Sequence, residues 1–288
     1  MQKVAVVTDS ASNLPAELVQ RHHIFIVPVL LYLDGRELRD GVDITAGEIY
    51  RYMTASINNH LPKTASPSVG EFIRVYHIAA QNAEEIVSIH LSANLSAIYQ
   101  VANLAKEQVP VKVHVVDTHT AAMGCGFAVL EAARLAEQGA DAEAVIRRAQ
   151  EIAGKVRVIA MLPRLDYLQK GGHVPAVAAL AGSALKICPI LTVAHDQARV
   201  VELPRTQERA VRRILEMLER DAKDRPVHVA VMHAGVPEQA EELRREVAER
   251  VQCVELFTTE FTPVMGTHTG PGVLGLAYYV ENGDEPRG

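Results

Sequence analysis

Short apolar runs alternate with amphipathic stretches along this chain, and that alternation restricts the fold more than any other feature. VAVVTD (4–9), EIVSIHL (85–91) and VKVHVVD (111–117) have the length and composition of buried strands, and each is followed by a helical pattern. SASNLPAELVQRH places Pro15 in a first helical turn. Thr45-x-x-Glu48 and Ser68-x-x-Glu71 are capping-box signatures ahead of apolar residues at helical spacing. FIVPVLLYLDGREL reads as a strand that turns at Asp34-Gly35. Strands separated by helices imply a mainly parallel sheet with both faces covered.

Near Gly154 the pattern starts again. VRVIAML (156–162) and VHVAVMH (227–233) read as strands, and LKICPILTVA (185–194) and ARVVEL (198–203) as two strands joined at His195-Asp196-Gln197. Helices are expected at 206–221 and 237–250, and CVELF and VLGLAYYV complete the sheet. The expected architecture is α/β with two domains, 1–154 and 155–288, each a mainly parallel sheet flanked by helices. At 288 residues and 48% hydrophobic content, the chain has enough apolar material for two cores.

A net charge of −6, with both signs mixed along stretches such as ERAVRRILEMLERDAKDR, excludes the basic stripe that nucleic acid requires. Cys125, Cys188 and Cys253 lie far apart without a C-x-x-C, so neither a metal knuckle nor a disulfide framework is expected. A reducing, cytoplasmic setting follows, and MQKVAVVTDS has no signal-peptide character. The apolar segment Val174–Ala194 is interrupted by Lys186 and Pro189. It reads as a short helix and a buried strand, so no integral membrane association is expected.

In open parallel sheets, ligands sit beyond the carboxyl ends of the strands, which directs attention to the polar loops there. TDSASN follows the first strand, without the glycine pattern of a dinucleotide or P-loop site. Asp9 reads as a carboxylate held by backbone N–H groups at a helix start. Ser96, in the first turn of LSAIYQVANLAKEQ, suits either an anion site at a helix N-terminus or an ordinary first-turn serine. Thr64, upstream of a capping box, is open in the same way. His268 lies in a loop with Gly266, Gly270 and Gly272, where glycines let backbone approach a ligand closely; structural and functional readings both stand. No H-E-x-x-H spacing occurs among the 12 histidines, so no metal site is assigned.

Taken in order, VAVVTDSASNL, KTASPS, LSANLSAIYQ, VVDTHTAAMG, LDYLQKGG, LKICPIL, PRT and GTHTGPG resemble the DegV family of fatty-acid-binding proteins over almost the whole chain. The resemblance implies a two-domain α/β protein that binds one long-chain fatty acid, palmitate or similar, between its domains, with no covalent cofactor. It implies a role without catalytic residues, as the binding subunit of a bacterial fatty acid kinase. Such a subunit presents the carboxylate to a separate ATP-using partner for phospholipid synthesis. The family's carboxylate ligands fall on Thr64, Ser96 and His268, and Ala97, His173, Arg205, Thr267 and Gly266 are secondary candidates. A histidine beside a carboxylate would tend to be protonated, reinforcing the pair.

The chain departs from the family pattern at several of these places. Ala97-Ile98 stands where Gly-Thr is usual, His173 where a basic residue is usual, Cys188 where lysine precedes Pro189, and Gln197 where a turn glycine is usual. A second reading uses Ser96 and His268 as nucleophile and base of an acyl hydrolase or acyltransferase. It lacks a G-x-S-x-G elbow and a carboxylate partner evident for His268. A third, a regulatory lipid sensor, keeps the ligand without the kinase.

Overall fold

The computed structural model describes residues 2–55, 61–164, 167–168, 187–194 and 196–281. The chain divides into two compact units, Met1–Ile44 with Pro62–Gly154, and Thr45–Leu61 with Lys155–Gly288. The sequence break near Gly154 coincides with one end of this division. Residues 45–61, however, group with the second unit, where Tyr50 packs against Gly235 and Gly266.

In the first unit, β1 (Gln2–Asp9), β2 (Phe25–Val27), β6 (Ala83–His90) and β7 (Lys112–Asp117) form a sheet in the order β2-β1-β6-β7. All three pairings are parallel, as the strand–helix alternation predicts. Residues on alternate positions face opposite layers. Val4, Val6, Val87, Ile89 and Val116 pack on α5 (Met123–Glu137) and α6 (Ala142–Lys155) through Cys125, Val129, Ala133 and Val145. The other face carries Ser88 and His90 and meets α3 (Val69–Ala80), with Tyr76 bonded to Ser88 and the Phe72 ring 5.3 Å from that of His90. α4 (Ile98–Lys106) packs on β7 and α3. A short helix, α1 (Ala16–Arg21), starts directly after Pro15.

A smaller antiparallel sheet holds β3 (Leu30–Leu33) between β4 (Arg36–Arg39) and β5 (Lys63–Ala65). The β3–β4 turn is the one read at Asp34-Gly35. Both residues have φ above zero, at 49° and 76°, as a tight two-residue hairpin requires.

The second unit differs from expectation. Its six strands among the described residues are β8 (Arg157–Met161), β9 (Ile190–Ala194), β10 (Gln197–Glu202), β11 (Val227–His233), β12 (Cys253–Glu260) and β13 (Leu274–Val280). They are ordered β10-β9-β8-β13-β11-β12, and only β11–β12 is parallel. The expectation of a mainly parallel sheet in each domain therefore holds for the first unit and fails here. β9 and β10 are joined too tightly for a crossover, through Asp196 at φ 63°, and so must run antiparallel. β13 then inserts between β8 and β11, opposite in direction to both. A fully buried run such as VHVAVMH looks the same in either case, because helices cover the sheet.

α7 (Gln207–Ala222) and α8 (Pro237–Arg250) cover one face, where Ile214, Leu218, Leu243 and Val247 meet Val229, Val231, Leu276 and Tyr278. α2 (Ala46–Ala55) packs on α9 (Pro263–Thr269), burying Ile49, Tyr50 and Met53. α2 opens with the predicted capping box. The Thr45 N–H donates to Glu48 Oε2 at 2.8 Å, and the Glu48 N–H returns to Thr45 Oγ1 at 3.3 Å. At α3 only half of the predicted box forms. Ser68 Oγ accepts the Glu71 N–H at 3.1 Å, while the Glu71 carboxylate pairs with Arg74. No helix among the described residues is long and apolar enough to cross a membrane.

Candidate functional site

The polar loops of the first unit gather beyond the carboxyl ends of its parallel strands. Thr64 sits in the middle of β5, half-buried and opposite Leu31 of β3. Ser96 does not lie in the first turn of α4, as the sequence suggested, but two residues before it, with Ala97 as the helix's exposed N-cap. From there Ser96 Oγ accepts the Ile98 N–H at 3.3 Å. Ala97 has φ −77° and ψ 4°, ordinary for alanine, so the departure from the family's glycine needs no unusual backbone here.

The loop that carries Ser96 is firmly rooted. The Ser92 N–H donates to the Thr120 carbonyl at 2.8 Å, the Ala93 N–H to Asp117 Oδ2 at 3.1 Å, and the Asn94 N–H to Ser92 Oγ at 3.2 Å. The Leu95 and Ser96 N–H groups both reach the Ser92 carbonyl. Ser92 is thus the hub of a compact turn, and Ser96 leaves it with a fixed direction. Asp9, read as a carboxylate at a helix start, accepts the Ala11 N–H at 2.9 Å as an N-cap of the turn Ser10–Ser12. Its second oxygen faces Nδ1 of the buried His90 at 2.7 Å, a partner that sequence spacing gave no reason to connect to it.

In the second unit, His268 lies in the last turn of α9 rather than in an open loop. The threonines on either side serve the helix: Thr267 Oγ1 donates to the Pro263 carbonyl at 2.8 Å and Thr269 Oγ1 to that of Met265 at 3.0 Å. Thr267 is buried, and its hydroxyl proton is committed to this bond. The glycines around His268 make room for protein. A Cβ on Gly266 would lie 2.4 Å from Tyr50 Cε1, and one on Gly270 would lie 2.2 Å from Tyr167 Cδ2. Gly270 also takes φ 83° to end the helix. The Gly272 N–H donates to the Ala234 carbonyl at 2.7 Å, fastening the segment to the end of β11.

That strand end is electrostatically unusual. Burial pushes the His233 imidazole below its ordinary pKa, against a smaller opposing pull from Glu238. Burial also raises the Glu260 carboxyl, with the Gly235 N–H opposing the shift. Among the secondary candidates, Arg205 is exposed just ahead of Thr206, which caps α7 by accepting the Arg209 N–H at 3.2 Å. Cys188 is half-buried against the apolar core, and burial pushes its thiol up, away from thiolate chemistry. His173 lies outside the described residues, as do Lys170, Gly171, Gly172 and His195.

The model of the family described as "Uncharacterised protein, DegV family" matches residues 3–281. A DegV domain-containing protein of Streptomyces coelicolor is 37% identical over 276 residues, covering 95% of this chain and 97% of that protein. Among solved structures, a DegV family protein from Thermus thermophilus, described by its fatty acid binding, superposes with a TM-score of 0.90 at 32% identity. The match covers 97% of this chain and 100% of that one. A stearic acid-binding protein from Eubacterium ventriosum gives a TM-score of 0.87 at 26% identity, covering 98% and 99%. The order of polar loops along the sequence, the two α/β units and the full-length match agree: this chain belongs to the DegV family.

Proposed function

We propose that this protein binds one long-chain fatty acid and holds its carboxylate with the hydroxyls of Thr64 and Ser96 and the imidazole of His268. The observation that carries the reading is the full-length likeness to proteins described as binding fatty acids, one of them stearic acid. The local geometry supports it. Ser96 Oγ accepts from Ile98 N–H, which leaves its own proton available to an anion, and His268 is oriented by a helix turn pinned at both flanks.

The energetics divide between tail and head. Each buried methylene contributes about 0.8 kcal/mol, so the acyl chain supplies most of the gross affinity. Hydrogen bonds to the charged head contribute about 1.5–3 kcal/mol each against its desolvation, and they fix which end is presented. A carrier that holds the carboxylate by hydroxyls and an imidazole, without a nucleophile elbow, suits delivery to a separate ATP-using kinase that forms the acyl phosphate. We place the protein in that role, acting in the cytoplasm.

Native mass spectrometry of the purified protein, followed by denaturing extraction, tests the binding. One fatty acid per chain, released on unfolding, is the expected result. An empty protein that cleaves acyl esters, with turnover abolished in Ser96→Ala, would favour the hydrolase instead. The kinase role is tested by acyl-phosphate formation from the loaded protein with a fatty acid kinase subunit and ATP. No product with an active kinase subunit would leave a lipid carrier or sensor.

A further inference from the structure

The core of the first unit contains a hydrogen-bonded chain that the carboxylate clamp does not use. Tyr76 Oη lies 2.9 Å from Ser88 Oγ, Ser88 Oγ lies 2.7 Å from His90 Nε2, and His90 Nδ1 lies 2.7 Å from Asp9 Oδ2. All four residues are fully buried. The spacing is that of a serine–histidine–aspartate triad, yet Ser88 sits sealed within β6 beneath α3, where no substrate reaches it.

The chain satisfies every polar hydrogen in only one order. The Ala11 N–H donates to Asp9 Oδ1, which leaves Oδ2 to accept from His90 Nδ1–H. Nε2 then accepts from the Ser88 hydroxyl, which accepts from Tyr76 in turn. With Nδ1 protonated and Nε2 bare each group is used once, whereas a proton on Nε2 would leave the hydrogen of either Ser88 or Tyr76 without an acceptor.

His90 is also the last residue of β6, and the Ser96 loop begins at the next residue. Its carbonyl accepts both the N–H and the hydroxyl of Thr118, at 3.0 and 2.8 Å, which ties the loop root to the segment after β7. Asp9 ends β1, and the neighbouring Ser10 Oγ holds the Val29 N–H at 3.1 Å. The side-chain pair therefore locks together the carboxyl ends of two adjacent strands, at the level where the polar loops emerge.

We propose that Asp9 and His90 are positioning residues for the Ser96 loop. Their buried pair, held in one donor order through the Ser88 hydroxyl, fixes where residues 91–97 leave the sheet and so where Ser96 stands. The consequence for ligand rests on the fatty-acid reading above; the consequence for the loop does not.

The experiment compares Asp9→Asn, His90→Leu, His90→Asn and Tyr76→Phe in the full-length, delipidated protein. Amide hydrogen exchange is read at residues 93–98 and across the core, and palmitate affinity is measured alongside. Asp9→Asn sets an amide donor against either the Ala11 N–H or the His90 N–H, and His90→Leu removes the bond. Both are expected to speed exchange in the loop by about tenfold or more, beyond any change in the core, and to weaken palmitate by about tenfold. His90→Asn, which places an N–H near the Nδ1 position, is expected to restore both, and Tyr76→Phe to leave both near wild type.

Exchange that rises evenly through the first unit, in step with lost global stability, would overturn the proposal. Altered loop exchange with unchanged palmitate affinity would overturn the role toward ligand. If wild type binds no palmitate, the fatty-acid reading fails, and loop exchange alone still decides the anchoring. Should the leucine variant not fold, the nitrogen spectrum of wild-type His90 decides. A protonated Nδ1 with bare Nε2 is expected, and the opposite tautomer would overturn the donor order.

Discussion

Tyr50 Oη donates to the Phe261 carbonyl at 2.8 Å, and the same tyrosine ring occupies the space that a side chain at residue 266 would need. This pairing explains why residues 45–61 group with the second unit although they lie within the first half of the sequence. One aromatic side chain on α2 closes against Gly235 and Gly266, with the Phe261 carbonyl, just past the end of β12, accepting from its hydroxyl. Gly266→Ala is expected to destabilise the protein by about 1–3 kcal/mol through overpacking. Tyr50→Phe is expected to cost about 1 kcal/mol through the lost bond. Urea unfolding of both variants checks this, and a neutral Gly266→Ala would contradict the packing account.

Glu131 on α5 bonds Arg134 at 2.6 Å and Arg148 of α6 at 2.5 Å. Burial is the largest single influence on its carboxyl and acts to raise the pKa, but the two guanidinium groups together outweigh it and hold the value below the ordinary carboxylate range. The folded pKa is therefore below the unfolded one. The stabilisation is complete above the unfolded value of about 4.3 and is lost as pH falls through the folded value. Glu131→Gln should be less stable than wild type at pH 7, and the gap should close in acid. A gap that persists unchanged to low pH would show that the charge contributes nothing.

His233 works in the opposite sense to a stabilised cation. Its Nδ1 is buried without a hydrogen-bond partner among the described residues, and burial lowers its pKa. Below the unfolded value of about 6.5, the unfolded chain takes up the proton first, so stability falls with pH until the folded value is reached. Replacing His233 by Phe is expected to flatten this part of the stability–pH curve. An identical slope in the variant would assign it to other groups.

Ser96→Ala removes one hydrogen bond to Ile98 N–H at 3.3 Å, a small local loss, and one proposed donor to the ligand carboxylate. Folding stability is expected to fall by no more than about 1 kcal/mol, the value of one neutral hydrogen bond. Fatty-acid affinity is expected to fall by at least about tenfold, the value of one charge-assisted bond. Calorimetry and thermal melting together check the pair of outcomes. Equal affinity in the variant would remove Ser96 from the clamp.

The sequence showed most of the first unit because its signals are local. VAVVTD, EIVSIHL and VKVHVVD are strands that obey the parallel rule, and Asp34-Gly35 forms the turn that its residues require. Strand direction in the second unit was hidden because buried runs such as LGLAYYV carry no directional mark, and β13's place between β8 and β11 is set by long-range pairing. The glycines around His268 were visible as glycines, but not the tyrosines that require them. Tyr50 and Tyr167 are distant in sequence and meet Gly266 and Gly270 only in the fold. Asp9 was legible as a carboxylate at a helix start, but its bond to His90 spans 81 positions. No spacing rule reaches that far.

The central claim is that a single fatty-acid carboxylate is held by Thr64, Ser96 and His268. The most direct measurement is the carbon NMR spectrum of palmitate labelled at its carboxyl, bound to wild type and to the Ser96→Ala and His268→Ala variants. The account predicts one bound carboxyl resonance, distinct from free palmitate, that moves in each variant while the fold is retained. A bound resonance identical in all three proteins, or no bound resonance at all, would contradict it.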